Sequence, residues 1–172
     1  MASAERIFLI LDNTESISQP ENSVKLGRID SIELKNLWFA YNDNEYVLKN
    51  VSFKVEGGQT IAIVGPTGSG KTSIIHLLMR FYEPGRGQIL INGQDMKTIS
   101  AQTLRAGMSL VSQDPFLFSE SIFHNIFQDR KNVSEEEINE ALLESNCRNF
   151  IDKLPNGIHT ELSEGGASIS SG

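Results

Sequence analysis

The chain has 172 residues, a hydrophobic content of 39%, a charged content of 22% and a formal net charge of −7. These values are ordinary for one soluble globular domain, and the negative charge excludes a general basic surface for the phosphate backbone of a nucleic acid. The single cysteine, Cys147, cannot form an internal disulfide, and the apolar run at 7–11 is too short to span a bilayer. Any polyanion that the chain binds must therefore be held at a local site.

The first part of the chain predicts a linker followed by two strands. Residues 12–27 are polar and include a proline, which is typical of a linker. Apolar and polar residues then alternate over 32–39 and again over 51–55, with the polar turn 42–45 between them. This pattern predicts two half-buried antiparallel strands, with a bulge near Asn36 where the alternation slips.

The middle of the chain predicts alternating strands and helices. Residues 60–64 form a short continuous apolar run, which predicts a strand buried on both faces. Apolar residues at helical spacing follow over 74–82 and predict a helix that ends before Pro84. One strand that ends at the turn 92–93 and another over 109–112 complete the pattern, which is typical of an α/β fold.

The last part of the chain predicts helices. Ser134 and Glu137 have the spacing of a capping box, and the acidic residues 135–137 fall in the first turn, where the helix dipole favours negative charge. We interpret this acidic run as a solvated helix start rather than a catalytic carboxylate pair. A second helical run through 150–154 stops at Pro155.

A glycine-rich segment carries the strongest chemical signal. Residues 65–72 match the pattern G, four residues, G-K-[ST], between a predicted buried strand and a predicted helix, which is the context that a phosphate-binding loop requires. Glycines allow backbone amides to converge on an anion, and the helix N-terminus adds positive potential. Lys71 supplies an ammonium group for the β- and γ-phosphates, and the Thr72 hydroxyl is placed to ligate Mg²⁺. Chance produces this pattern on the order of once in two hundred chains of this length.

The loop therefore predicts binding of a nucleoside triphosphate, MgATP above others, but it leaves the activity open because GTPases, kinases and motor ATPases share it. Further segments narrow the choice, since they resemble, over essentially the whole chain, the nucleotide-binding domain of exporter-type ATP-binding cassette (ABC) transporters. The matching segments are 4–12 (the segment that joins the membrane helices to the ATPase), 39–41 (A-loop), 65–72 (Walker A), 111–115 (Q-loop), 150–160 (helical subdomain), 160–166 (X-loop) and 169–172 (start of the signature motif).

This resemblance implies roles for individual residues. Tyr41, which by position alone is an aromatic residue on a strand, would stack on the adenine base. Lys71 and Gln113 would be catalytic, and Thr72 and Gln113 would ligate Mg²⁺, although Gln113 also has the simpler interpretation of a polar strand terminus. The nucleotide-binding residues implied are Tyr41, Gly65, Pro66, Thr67, Gly68, Ser69, Gly70, Lys71, Thr72, Ser73, Ser170 and Gly172.

The resemblance also implies a fold and a domain plan. We expect an α/β P-loop NTPase (RecA-like) core with an antiparallel β subdomain and an α-helical subdomain, incomplete at the C-terminus. Residues 1–28 would be a linker from a missing membrane domain, and residues 29–172 a partial ABC ATPase domain. That domain would divide into 29–58 (antiparallel β part), 59–112 (P-loop core) and 113–172 (Q-loop and helical subdomain).

A Walker B strand, a catalytic glutamate, a D-loop and a switch histidine would follow the signature motif in the complete family member. The sequence ends at Gly172 before any of these, so we expect a fragment that is cut at both ends, binds nucleotide weakly and does not sustain hydrolysis alone. The complete protein would lie at the cytoplasmic face of a membrane. Its partners would be its own transmembrane domain and a second nucleotide-binding domain, head to tail, in a homodimer or heterodimer, with no nucleic acid.

Two other functions remain open from the sequence. One is a soluble ABC ATPase without a transport role, against which segments 4–12 and 160–166 argue. The other is a non-catalytic half of a heterodimer, because Ser171 stands where the family normally has glycine. His76, His124 and His159 show no metal-ligand spacing with Cys147, and we interpret them as helix or turn residues. The transported substrate is not encoded in these segments.

Overall fold

The computed structural model describes residues 7–8, 11–12, 20, 24–42, 45–113, 115–128, 130 and 132–163. The predicted linker and joining segment lie largely outside these residues. The chain divides into two compact units, Met1–Leu110 and Val111–Gly172. Within the described ranges, no helix has the length and apolarity needed to cross a membrane.

The first unit is built on an antiparallel sheet. Its strands are β1 (Ser31–Ala40), β2 (Tyr46–Glu56), β3 (Arg86–Ile91) and β4 (Gln94–Asp95), in the order β2-β1-β3-β4. The predicted pair of antiparallel strands is therefore confirmed as β1 and β2, which pair from Ser31 opposite Glu56 to Ala40 opposite Tyr46.

The predicted bulge is confirmed in β1. The register between β1 and β2 shifts between Leu34 and Leu37, and Asn36 has a left-handed φ of 45°. The Asn36 backbone N–H donates to Ser52 Oγ at 2.7 Å, and its side-chain amide donates to Asn50 Oδ1 at 3.0 Å. These side chains replace the ladder hydrogen bonds that the bulge interrupts.

The turn between β3 and β4 is also as predicted. Asn92 and Gly93 both have positive φ, 52° and 78°, which suits a tight two-residue hairpin. Asn92 Oδ1 accepts hydrogen bonds from the backbone N–H groups of Asp30 at 2.7 Å and Ser31 at 3.0 Å, and Nδ2 donates to the Arg28 carbonyl at 2.8 Å. One side chain thus fixes both the turn and the start of β1.

Helix α1 (Lys71–Leu78) packs on the sheet. After β4 the chain forms a 3₁₀ turn (Met96–Thr98) and then helix α2 (Ala101–Ala106). The predicted helix ends at Leu78, before Pro84 as expected. The core of the unit is apolar and consists of Leu34, Leu37, Phe39, Leu48, Ile74, Leu77, Ile89, Ile91, Met96, Ile99 and Leu104.

A buried arginine ties the end of α1 to α2. Arg80 is 1% exposed, donates to the Ile99 carbonyl and pairs with Glu83 at 3.0 Å. Arg105 on α2 donates in turn to the carbonyls of Met79 at 2.9 Å and Arg80 at 2.8 Å. These hydrogen bonds satisfy carbonyl groups that follow the end of α1 and hold the helix in a fixed position.

Two predicted strands are absent from the structure. Residues 60–64 and 109–112 join no strand ladder among the described residues, and Val64, expected to be buried, is 88% exposed. An apolar run becomes a buried strand only where neighbouring strands supply its hydrogen bonds and cover both faces. No described strand does so for either segment, so both predictions are wrong for the described chain.

The second unit is helical. Its elements are α3 (Ile122–Phe127), α4 (Glu135–Glu144), α5 (Arg148–Ile151) and a 3₁₀ turn (Gly157–His159), packed around Ile122, Leu142, Ile151 and Leu162. The capping box is confirmed, because Ser134 Oγ accepts from the Glu137 N–H at 3.2 Å and Glu137 Oε2 accepts from the Ser134 N–H at 2.9 Å. The run predicted through 150–154 is helical only to Ile151 and continues as turns.

The contact between Gly87 and the β1 bulge generates a stability prediction. Gly87 has a φ of 85°, and a Cβ atom there would lie 2.4 Å from the carbonyl oxygens of Lys35 and Asn36. We expect Gly87→Ala to lower the free energy of unfolding by at least about 3 kcal/mol, since strain and a backbone clash add. Gly93→Ala is the matched control: φ is 78° with nothing within 4 Å, so strain alone should cost about 1–2 kcal/mol. Urea unfolding of both variants measures the difference, and equal losses would contradict the prediction.

Candidate functional site

The glycine-rich loop has a backbone that few residues besides glycine adopt. Gly68 and Gly70 have φ values of 82° and 87°, in the left-handed region. The Ser69 N–H donates to the Pro66 carbonyl at 3.2 Å and closes a turn. A Cβ atom at Gly65 would lie 2.7 Å from Ser69 Oγ and 3.4 Å from Ser69 Cβ, so the start of the loop packs closely against its own end. The glycines therefore permit a compact turn directly before α1.

Helix α1 begins without any capping group of its own. Its N-cap residue is Gly70, there is no side-chain cap hydrogen bond, and the first turn contains no acidic residue. Helix α4 is the opposite case, with the Ser134–Glu137 capping box and Glu135 and Glu136 in its first turn. The first N–H groups of a helix are hydrogen-bond donors in a region of positive potential, so the start of α1 favours an anion.

The Lys71 side chain folds back over the loop. Its ammonium Nζ donates to the carbonyl oxygens of Gly65 at 2.9 Å and Pro66 at 2.7 Å. The ammonium thus lies at the turn that precedes its own helix, where it adds a full positive charge to the potential of the helix N-terminus. Carbonyl dipoles offset that charge only partly, so the arrangement is suited to an anionic group.

Tyr41 and the loop border one cavity of about 260 Å³. The residues that line this cavity are Tyr41, Val47, Gly68, Gly70, Lys71, Thr72 and Ser73. Thr72 is exposed, so its hydroxyl is accessible at the loop, whereas Ser73 is buried. The structure thus brings together residues that were predicted separately, from the strand end and from the loop.

Tyr41 is fixed by contacts of both its ring and its hydroxyl group. The ring makes edge-to-face contacts with Phe39, at a centroid distance of 4.7 Å, and with Tyr82, at 5.1 Å. The hydroxyl oxygen lies 3.0 Å from Ser73 Oγ and 3.1 Å from His76 Nδ1. His76, interpreted from the sequence as an ordinary helix residue, was not predicted to contact Tyr41. The three-residue spacing of Ser73 and His76, which puts both on one face of α1, is the signal that could have found it.

Three predicted site residues do not belong to the described part of the first unit. Gln113 is exposed in an irregular segment of the second unit. Ser170 and Gly172 lie outside the described residues, as does the end of the predicted X-loop. Among the described residues, no three or more His, Cys, Asp or Glu side chains are grouped so that they could hold a metal ion.

The loop therefore fits a phosphate chain better than a metal ion held by protein ligands alone. The glycine turn is compact and open to space at Gly68, the helix start is uncapped, and one ammonium group is in place. These groups suit the phosphate chain of a nucleotide.

The sequence of the chain is similar to those of known proteins. A family profile described as "ABC transporter" matches residues 48–170. The chain is 43% identical over its full length to the uncharacterized ABC transporter ATP-binding protein YfiC of Bacillus subtilis, and 43% identical over 99% of its length to the probable multidrug resistance ABC transporter ATP-binding/permease protein YheH of the same organism. It spans 29% and 25% of the lengths of these two relatives.

Among solved structures, the chain is similar to a bacterial Atm1-family ABC exporter with ATP bound. The TM-score is 0.85 at 35% sequence identity, over 99% of this chain and 30% of the exporter chain. The similarity therefore covers both compact units, and the α/β ATPase fold expected from the sequence is confirmed.

The packing of the loop on β2 generates a prediction that separates two of its glycines. A Cβ atom at Gly70 would lie 2.6 Å from Leu48 Cδ2, whereas one at Gly68 would meet nothing within 4 Å. Both positions have left-handed φ, so alanine at either should cost about 1–2 kcal/mol in strain. We expect Gly70→Ala to lower the free energy of unfolding by a further 1–3 kcal/mol or so, because Leu48 must move within the core. Urea unfolding checks this, and a loss for Gly68→Ala as large as that for Gly70→Ala would contradict it.

Proposed function

Since the chain belongs to the ABC transporter family, we propose that it is the ATP-binding part of an exporter that couples ATP binding and hydrolysis to the export of a substrate across a membrane. The observation that carries the proposal is the position of the Lys71 ammonium on the Gly65 and Pro66 carbonyls, at the uncapped start of α1. The names of the relatives, which describe ATP-binding and permease functions, support a transport role over a soluble ATPase.

The loop binds and orients the phosphate groups in this proposal. The amide groups at the start of α1 donate hydrogen bonds to phosphate oxygens, and Lys71 exchanges its two carbonyl partners for phosphate oxygens. The bound MgATP supplies the γ-phosphoryl group and its metal ion. Because Lys71 is already at the loop, it needs only a side-chain rotation to neutralise negative charge, so positioning and charge stabilisation are the loop's contributions to hydrolysis.

Tyr41 provides a platform for the base. It is 45% exposed and lines the same cavity as Lys71 and Thr72. Stacking on an aromatic ring contributes about 1–3 kcal/mol per base and depends little on base identity. The site should therefore prefer ATP over GTP only modestly.

Two residues are proposed as metal ligands. Thr72 presents its hydroxyl at the start of α1, where the phosphate oxygens would hold the ion. Gln113 is exposed on the segment that resembles the Q-loop, and we propose that its amide oxygen ligates Mg²⁺ or orients the attacking water. Its position at the start of the second unit would let it report nucleotide occupancy to that unit.

A second nucleotide-binding domain completes the proposed site. The cavity at Tyr41 and Lys71 is about 260 Å³, less than the roughly 300–1,000 Å³ typical of a complete small-molecule site. We propose that the signature residues Ser170 and Gly172 of a head-to-tail partner close it, in a homodimer or a heterodimer. A transmembrane domain of the same exporter would then respond to closure at the cytoplasmic face of the membrane, and that domain would choose the substrate.

Replacement of Lys71 tests the proposed function. In the full protein expressed from its gene, we expect Lys71→Ala to weaken MgATP binding at least tenfold, because a hydrogen bond to a charged group contributes about 1.5–3 kcal/mol. ATP hydrolysis should fall to background. Equilibrium binding of a fluorescent ATP analogue and phosphate release measure the two effects.

Lys54→Ala is the matched control for that experiment. Lys54 lies on β2 seven residues beyond Val47, about 20 Å along the strand from the cavity, and its exposed pair with Glu56 contributes little to stability. MgATP affinity should stay within twofold of wild type in this variant. Equal affinities for Lys71→Ala and Lys54→Ala would refute the proposal.

Replacement of Gln113 tests the metal ligand. We expect Gln113→Ala to raise severalfold the Mg²⁺ concentration needed for half-maximal ATP hydrolysis, since one oxygen ligand of the ion is lost. Gln102→Ala, at an exposed position on α2, should leave that concentration unchanged. An unaltered Mg²⁺ dependence in Gln113→Ala would assign Gln113 the simpler role of a polar residue at the end of an apolar segment.

A further inference from the structure

The hydroxyl group of Tyr41 connects the strand end to the helix that carries the phosphate-binding lysine. Its oxygen lies 3.0 Å from Ser73 Oγ and 3.1 Å from His76 Nδ1, and both partners stand on one face of α1. Stacking of a base needs the face of an aromatic ring and no hydroxyl group. The hydrogen bonds of Tyr41 therefore have a role separate from the proposed contact with the base.

We propose that His76, together with Ser73, is a positioning residue that fixes the ring plane of Tyr41 for the base of the nucleotide. The proposal rests on the proposed function, since it concerns the base-binding half of the same site. Ser73 is 4% exposed, so its hydroxyl is largely shielded from water. A buried hydroxyl that lost its hydrogen-bond partner would cost free energy, which keeps the Tyr41 hydroxyl in place.

The hydrogen bonds of the hydroxyl group restrict the direction of the Tyr41 side chain in addition to the contacts of its ring. Phe39 and Tyr82 meet the Tyr41 ring at interplanar angles of 77° and 90°. These two rings border Tyr41, but Tyr41 follows the end of β1 and is 45% exposed, so packing covers only part of its side chain. Two hydrogen bonds at the far end of the ring fix its direction. A ring that is fixed before the base arrives loses less conformational entropy when the base stacks on it.

The side chains of Ser73, Tyr41 and His76 can form these two hydrogen bonds with either direction of donation. Ser73 can donate to Tyr41, which then donates to an unprotonated His76 Nδ1; alternatively, His76 Nδ1–H donates to Tyr41, which donates to Ser73. Both directions hold the tyrosine oxygen at the same place. Because Ser73 directly follows Thr72, the chain of groups links the orientation of the ring to the first turn of α1.

The experiment compares two ligands in the full protein expressed from its gene: MgATP, which has a base, and magnesium tripolyphosphate, which has none. We expect His76→Ala to weaken MgATP binding about three- to tenfold, the range that one lost hydrogen bond produces. Tyr41→Phe, which removes both hydrogen bonds of the hydroxyl group, should weaken it at least as much. The affinity for tripolyphosphate should stay within twofold, because the loop is unchanged. His76→Asn, which keeps a hydrogen-bonding group near the position of Nδ1, should bind MgATP within about twofold of wild type.

A double-mutant cycle identifies the interaction itself. The double variant with Tyr41→Phe and His76→Ala should bind MgATP within twofold of the single variant that binds it more weakly. Both changes remove the same hydrogen bond, so their effects should not add. His124→Ala, an exposed helical histidine in the second unit, is the matched control and should change neither affinity.

The outcomes separate this inference from the proposed function. If Lys71→Ala weakens both ligands but His76→Ala weakens neither, the function stands and the role of His76 is refuted. The role is also refuted if His76→Ala weakens both ligands equally, which would show a general effect on α1, or if His76→Asn fails to restore MgATP binding. If Lys71→Ala changes neither affinity, the proposed function itself fails.

Discussion

The positive charge at the start of α1 is the constraint on which the rest of the site depends. A lysine at the first position of a helix is electrostatically unfavourable, because its charge adds to the positive end of the helix dipole. Lys71 is accommodated because its side chain turns back onto the carbonyls of Gly65 and Pro66. Those carbonyls face the ammonium only in the tight turn that the glycines allow. Lys71 and the loop conformation thus support each other, and an anion would relieve the remaining unbalanced charge.

This constraint explains why α1 and α4 start so differently. Helix α4 supplies its own cap through Ser134 and Glu137, and so its N-terminus needs no ligand. Helix α1 has Gly70 in the same position, and a Cβ atom there would strike Leu48. The glycine that cannot cap the helix is therefore also the residue that lets the loop pack on β2. Gly70 thus serves both the packing of the loop on the sheet and the exposure of the first N–H groups of α1.

Local features of the fold could be predicted from the sequence, and features that depend on distant neighbours could not. The bulge at Asn36, the turn at Asn92 and the cap at Ser134 each leave a pattern within a few residues of sequence: a slip in the alternation, an Asn-Gly pair and a serine three residues before a glutamate. The hydrogen bonds that hold Asn36 and Asn92 reach residues 14 to 64 positions away, and the sequence did not predict them. The apolar runs at 60–64 and 109–112 have the right composition for buried strands, but a strand also needs partners that periodicity does not reveal. The contact of Tyr41 with His76 joins residues 35 apart in the chain, so only the geometry of the fold brings it out.

The described contacts of the glycine-rich loop come from β2 and from its own helix α1. Residues 60–64 have no ladder in the described chain, yet Gly70 packs on Leu48 and Val47 of β2, and Lys71 closes the turn on the Gly65 and Pro66 carbonyls. The loop is thus positioned from its C-terminal side, by α1 and β2, and by the hydrogen bonds of Tyr41 to the same helix. Since β1, β2 and α1 share one apolar core, Tyr41 and the glycine-rich loop keep their relative positions as long as that core is intact. Pairing of 60–64 with further strands would then rigidify an arrangement that the antiparallel sheet and α1 already define.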